Sequence, residues 1–311
     1  AGNGSFINWK SSGYIPYYNL QEEFDAFNFF AYYYDNAKTG EVKREADRIC
    51  FDVTVDGSQD LMCAAASDLK TLIEDVENGQ KIAADYSEQA DRLKQLGADE
   101  RQLMRSCYYG TYTARRNIWP IIRMKHQLSY VKLKFYPASK STEDIVYITG
   151  VWIECVNKGV FTVAASDPAN IGVYFPADGE RGKIPARDAD GNSLYPMQVK
   201  EEDANKEVNQ RPATDGGIFL LPPGNNAKLL ISTVYYPNDT ASEPYATTFS
   251  YDLKDAVYNK DENGAYLSSG FMGGREYSIS AYIYGPQDIK LNVQAASWVN
   301  GGDIEIGEDE L

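Results

Sequence analysis

Any histidine chemistry in this chain has to pass through one ring, because the sequence holds a single histidine, His126, in Met124-Lys125-His126-Gln127-Leu128. A Ser-His-Asp or Cys-His arrangement would have to use that ring. No GxSxG elbow, HExxH helix or GxxxxGK[ST] loop accompanies it, so His126 reads as a structural, hydrogen-bonding side chain. Paired carboxylates can cleave glycosidic bonds without a histidine. The 45 acidic residues offer many such pairs, and spacing along the chain singles out none. Asp188-Ala189-Asp190-Gly191-Asn192 carries oxygen ligands like the front of a calcium loop, but Val199 stands where the twelfth-position glutamate belongs. A turn is expected there. Cys50, Cys63, Cys107 and Cys155 lack CxxC pairing and read as core thiols. No metal, cofactor or enzymatic activity is expected.

Charge narrows the partners. With 45 acidic against 30 basic residues, the formal net charge of −15 repels a phosphate backbone over most of the surface, so nucleic acid is excluded. No run approaches the roughly 18 apolar residues of a membrane-spanning helix. Tyrosine outnumbers phenylalanine by 24 to 12, a bias suited to half-exposed strands that need an apolar ring with a polar tip and a pointer to a secreted β-protein.

The elements that must position these residues are mostly strands. Period-two alternation runs through Ile49, Phe51, Val53 and Val55, through Val131, Leu133 and Phe135, and through Val151, Ile153 and Cys155. It returns in Tyr277, Ile279, Ala281 and Ile283, and in Ile289, Leu291 and Val293. Asn157-Lys158-Gly159, Pro222-Pro223-Gly224 and Gly285-Pro286 punctuate them as turns, and Asp261-Glu262-Asn263-Gly264 predicts a hairpin. One segment changes period. From about residue 68 to 107, Leu69, Leu72, Val76, Ala83, Tyr86, Ala90 and Leu93 recur at helical spacing. Ser67 is the expected N-cap, Gly79 a break, and Gly97 a C-terminal cap before a second short helix from Asp99. Residues 176–217, rich in Asp, Glu, Gly and Pro, predict a long surface loop. The strands divide into two β-sandwich domains, 1–137 with the helical insertion and 144–311 with the long loop, linked by Pro137 to Glu143.

Several motifs then line up in order: Phe29-Phe30-Ala31-Tyr32, Gln59-Asp60-Leu61-Met62-Cys63-Ala64 and Lys125-His126-Gln127-Leu128-Ser129-Tyr130-Val131. In the second half come Leu220-Leu221-Pro222-Pro223, the strand Leu229 to Tyr235, Gly273-Gly274-Arg275-Glu276-Tyr277 and the ending Ile289 to Trp298. Together, over about two thirds of the chain, they resemble the fimbrillin family of Bacteroides-type bacteria. That resemblance implies a mainly β fold of two transthyretin-like Greek-key sandwiches. It implies a lipoprotein precursor carried to the outer membrane by a lipidated N-terminus, and a fimbrium or pilus subunit, tip or anchor acting in cell adhesion. Subunits of the same or other pilins would be joined by strand donation, with host glycans or proteins as further partners. Asp60, Leu61, His126 and Leu128 carry the family motif. Ile289, Leu291 and Val293, or Trp298, Ile304 and Ile306, have the alternation a donated strand needs, although the first group reads first as an ordinary strand paired within its own domain. The helical insertion departs from a plain stalk subunit. The alternative reading is a glycan-binding or glycan-processing outer-membrane surface lipoprotein, which would gather Trp9, Trp119, Trp152 or Trp298 with carboxylates in one cleft.

Overall fold

The computed structural model describes residues 27–34, 41–66, 68–106, 109–137, 145–199, 211–224, 226–236, 243–254, 257–260, 266–285 and 288–297. The first elements among the described residues are β1 (Phe30–Tyr34), β2 (Lys43–Arg44), β3 (Arg48–Thr54) and β4 (Leu61–Ala65). It then turns helical. α1 (Leu69–Glu77), a single 3-10 turn at Ala84–Tyr86, α2 (Ser87–Gln95), α3 (Ala98–Ser106) and α4 (Thr111–Ala114) follow, so the helical insertion extends past its expected end. Its apolar stripe closes on a core of its own that includes Leu69, Ile73, Leu93, Met104, Tyr109 and Ile118.

The caps differ from expectation in instructive ways. Asp68 caps α1, its carboxylate accepting from the Lys70 amide at 3.1 Å; the expected cap, Ser67, lies outside the described residues. Beyond the Asn78 cap the break at Gly79 has φ of 65°, a left-handed conformation that glycine adopts without the Cβ penalty. Gly97 does not close α2. Leu96 is already extended, while the Gly97 carbonyl accepts from Arg101 N at 3.1 Å and its amide donates to the Glu100 carboxylate at 3.2 Å. Those are the bonds of an N-cap, so Gly97 opens α3.

The chain returns to strands with β5 (Lys125–His126), β6 (Ser129–Pro137), β7 (Ile145–Val156), β8 (Lys158–Ala165) and β9 (Gly172–Tyr174). β10 (Arg181–Pro185), β11 (Met197–Gln198), β12 (Thr214–Leu221), β13 (Lys228–Tyr236) and β14 (Tyr245–Asp252) continue the series. β15 (Tyr258–Lys260), β16 (Tyr266–Ser269), β17 (Arg275–Gly285) and β18 (Asp288–Ser297) complete it. The fold is mainly β, in several sheets, as the alternation requires. One pack sets β1-β4-β5 against β2-β3-β8-β9, with the Tyr34 ring stacked on Phe51 at 5.4 Å and edge-on to Phe161 at 6.4 Å. The other sets β12-β6-β17-β18 against β10-β7-β13-β14, where the Tyr251 hydroxyl of β14 donates to the Ile289 carbonyl of β18 at 2.9 Å. Only the β6 and β17 pairing among these ladders is parallel. Inward rows such as Val131, Leu133, Phe135 and Tyr277, Ile279, Ala281 are fully buried and join one continuous core with Phe51, Leu61 and Phe161. Each buried Val, Leu, Ile or Phe among them contributes about 1.5–3 kcal/mol over leaving it exposed.

Three expectations are corrected by the pairing. No cut between residues 137 and 144 separates the sheets, because β8, after that point, pairs with β3, and β6, before it, pairs with β12 and β17. Asn157-Lys158-Gly159 is not a hairpin turn. There the extended chain leaves the sheet of β7 and enters that of β3, and Asn157 clamps the crossing: its backbone carbonyl accepts from Val55 N at 2.8 Å and its side-chain Nδ2 donates to the Val55 carbonyl at 2.9 Å. Nor are residues 176–217 one loop. β10 lies against β7 with Ile184 fully buried, β11 also pairs β7, and β12 begins at Thr214. Polar composition hid these strands because each is held by its neighbour's backbone and one or two inward side chains. The hairpin expected at Asp261-Glu262-Asn263-Gly264 has its flanking strands, β15 and β16, paired antiparallel; Asp261 to Gly264 lie outside the described residues.

Candidate functional site

The first candidate is a junction. Asp60 and His126, 66 positions apart, meet where β5 pairs with β4: the His126 Nδ1 lies 2.8 Å and 3.0 Å from the two Asp60 carboxylate oxygens, and both side chains are largely shielded. One residue further on, the Gln127 amide donates to the Leu61 carbonyl at 2.7 Å. Leu128 then carries the chain into the second pack. Leu61 and Leu128 are both fully buried in the continuous core. The structure thus sets Asp60 against His126 and places Leu61 and Leu128 in one core.

A third motif closes on the same point. The Gly274 amide donates to the Leu128 carbonyl at 2.9 Å, and the Ser129 hydroxyl donates to the Met272 carbonyl at 2.9 Å. A Cβ on Gly273 would come within 2.5 Å of the Gln127 carbonyl oxygen, so only glycine permits this approach. Tyr277 anchors the turn from the other side, its hydroxyl accepting from the Met272 amide at 2.8 Å and its ring edge-on to Phe271 at 4.9 Å. In chemical terms the junction is a clamp. The imidazole nitrogen and the carboxylate are spent on each other, and the bonds around them fix the crossing between the packs.

The second candidate is the closing strand. Ile289, Leu291 and Val293 form part of β18, which pairs antiparallel with β17 from Gly285↔Asp288 to Arg275↔Ser297. Ile289 is buried, whereas Leu291 and Val293 are half-buried against the core. β18 stands at the edge of its sheet, with no strand on its outer side among the described residues. Trp298, Ile304 and Ile306 lie outside the described residues. Sequence reasoning passed over the opposite edge strand, β14, although Thr247, Phe249 and Tyr251 alternate visibly.

The groups that could have carried chemistry are otherwise engaged. The Asp188 carboxylate accepts from the amides of Asp190 at 2.9 Å and Asn192 at 2.7 Å; these bonds, Asn192 first, hold its carboxyl below the usual range. That is the expected turn. Burial pushes the Cys63 and Cys155 thiols up to about 12. Among the described residues no cluster of metal-ligating side chains forms, and no helix is long and apolar enough to cross a membrane. Trp119 lies under the Arg92 guanidinium at 4.1 Å. The Trp152 ring folds over Gly150, where a Cβ would meet it at 2.1 Å, and Trp9 and Trp298 lie outside the described residues. A cavity of about 60 Å³, lined by Asn28, Phe29, Asp68, Tyr109 and neighbours, has no tryptophan and one carboxylate.

No protein-family model matches the sequence, and comparison with curated proteins gives no significant match. Among solved structures the chain is similar to a fimbrial protein from Bacteroides vulgatus, at 14% identity and a TM-score of 0.42, over 87% of this chain and 77% of that one. It is also similar to a candidate cell adhesion protein from Bacteroides uniformis, at 13% identity and a TM-score of 0.41, over 93% and 78%. A third, a candidate cell adhesion protein from Parabacteroides distasonis, has 11% identity and a TM-score of 0.37 over 96% of each chain.

Proposed function

We propose that this chain is a fimbrillin-like component of a surface fimbrium, acting in adhesion and assembly through strand-mediated contacts between subunits. The observation that carries this reading is the meeting of three motifs, scattered over more than two hundred positions and in fimbrillin order, at the junction of Asp60, His126 and Gly273. Supporting it, the closing strand β18 stands at a sheet edge with an alternating apolar row that is only half covered. An edge of that kind offers unpaired backbone groups in register with pockets for alternate side chains, which is what strand addition uses. In this reading the chain acts at the cell surface, reaches the outer membrane as a lipoprotein, and takes other pilins or itself as partners. The glycan reading gains no support from the tryptophans, because Trp119 and Trp152 are occupied by Arg92 and by Gly150.

The test uses a tagged peptide spanning Asp288 to Leu311, mixed with the intact chain and with the chain ending at Gln287. Folding of both is checked by circular dichroism, and capture is read by size exclusion. Capture by either folded form, lost when the peptide carries Leu291→Asp and Val293→Asp, is the expected result. If the peptide is captured by neither, and the full chain forms no contact with itself or with co-expressed surface subunits, strand-mediated assembly through β18 is wrong.

A further inference from the structure

Most of the sheet edges in this molecule are blunted. β2 and β5 are two residues long and β9 three; β10 carries Arg181, Lys183 and Pro185; and β12 has a bulge between Asp215 and Gly217. These are the devices that keep a sheet from pairing with another chain. β14 has none of them. Its eight residues, Tyr-Ala-Thr-Thr-Phe-Ser-Tyr-Asp, pair with β13 in unbroken register from Tyr245 to Asp252 and hold no Lys, Arg, Pro or Gly. The only charge is the terminal Asp252. On the outer side of β14 no strand pairs among the described residues. Its inward row is also incompletely covered: Tyr245 is 37% exposed, and Thr247, Phe249 and Tyr251 are half-buried.

We infer that β14 is a homotypic docking edge, on which a second copy of this chain adds its own β14 antiparallel about a two-fold axis through Thr248. Two considerations select this occupant. Side chains directly opposite in an antiparallel ladder lie on the same face, so pairing about Thr248 sets Thr247 opposite Phe249 of the other copy and Tyr245 opposite its Tyr251. Each inward row thereby completes the other with an aromatic ring beside a threonine or a tyrosine, and the arrangement is isologous and closed. Charge gives the second reason. A chain of net charge −15 repels its own copies over most of its surface, but from Tyr245 to Tyr251 there is no charge to oppose its image. The inference does not depend on the fimbrial reading, since β18 is on the other sheet.

The experiment is sedimentation equilibrium on the full chain over a wide concentration range, with two variants. Thr248 is exposed, on the solvent face beside Ser232, whose hydroxyl it meets at 2.8 Å, so Thr248→Lys leaves the core untouched and places two ammonium groups against each other at the axis. The expected result is a dimer for the native chain and at least a roughly tenfold weaker one for Thr248→Lys, with unchanged circular dichroism. Thr248→Cys should cross-link to its own copy under mild oxidation, whereas Ser250→Cys, whose register partner is Ala246, should not. A native chain that stays monomeric at every accessible concentration overturns the inference, as does a dimer indifferent to Thr248→Lys.

Discussion

The helices between Leu69 and Ala114 and the sheets around them are held by different materials. The sheets share one continuous apolar core running from Phe51 through Phe135 and Ile153 to Ile279. The helical core around Leu69, Leu93 and Met104 is much smaller, and arginines bind it together. Arg101 donates to the Leu93 carbonyl at 3.3 Å, to that of Leu96, and to Glu77 at 3.0 Å, which also takes Arg105. Arg116 reaches Glu100 at 2.9 Å and the Tyr112 carbonyl at 3.1 Å while lying 3.6 Å over the Tyr112 ring. Arg92 ties the Asn117 carbonyl at 2.7 Å. Several of these carbonyls stand at helix ends, where the backbone has no partner of its own. Residues 68–124 carry nine acidic and nine basic side chains, so the whole formal charge of −15 belongs to the rest of the chain. Helices this short are marginal in isolation, and the guanidinium groups add charge-assisted hydrogen bonds to what the small core supplies.

The largest expected effect separates the two cores. Phe135→Ala should cost about 3–5 kcal/mol and lower amide protection in both sandwich packs at once, because Phe135 belongs to the shared core. Leu93→Ala should cost about 2–5 kcal/mol and open the helical amides while β6, β13 and β17 keep theirs in hydrogen exchange. Equal loss in both regions would show that helices and sheets open as one unit. Acid should then separate them more gently. The hydrogen bond from Arg116, with that from the Gly97 amide, holds the Glu100 carboxyl below its ordinary value. A depressed folded value means stability that is complete above the unfolded carboxylate range, about pH 4.3, and lost as pH falls through the folded value. Helical ellipticity should therefore decline with acid before the near-ultraviolet signal of the sheet aromatics, and a simultaneous loss would remove Glu100 as the reason. The smallest effect is kinetic. With their thiols raised to about 12 by burial, Cys63 and Cys155 should resist alkylation at pH 8 until the sheets unfold; rapid native labelling of either would contradict its place in the core.

Much of this was legible in the chain. The alternation at Val131 to Phe135 and at Tyr277 to Ile283 marks strands with one inward face, and the helical stripe from Leu69 to Leu93 marks the insertion, because both signals are local and repeat at fixed periods. The lone His126 already bounded the chemistry. Legibility failed where a residue's meaning depends on a distant partner. Gly97 had the composition of a closing cap, and the Glu100 carboxylate and the Arg101 amide made it an opening one. Asn157 looked like a turn until Val55 held it straight.

The sequence by itself determined the class of the fold and the faces of its principal strands. Tertiary structure decided which sheet each strand joins, that β8 returns to β3 and β6 departs to β17, and which strands are left as edges. The physical reason is that side-chain alternation encodes burial, which each strand carries within itself. The hydrogen-bond partner of a strand lies elsewhere in the chain, and only the closed core selects it.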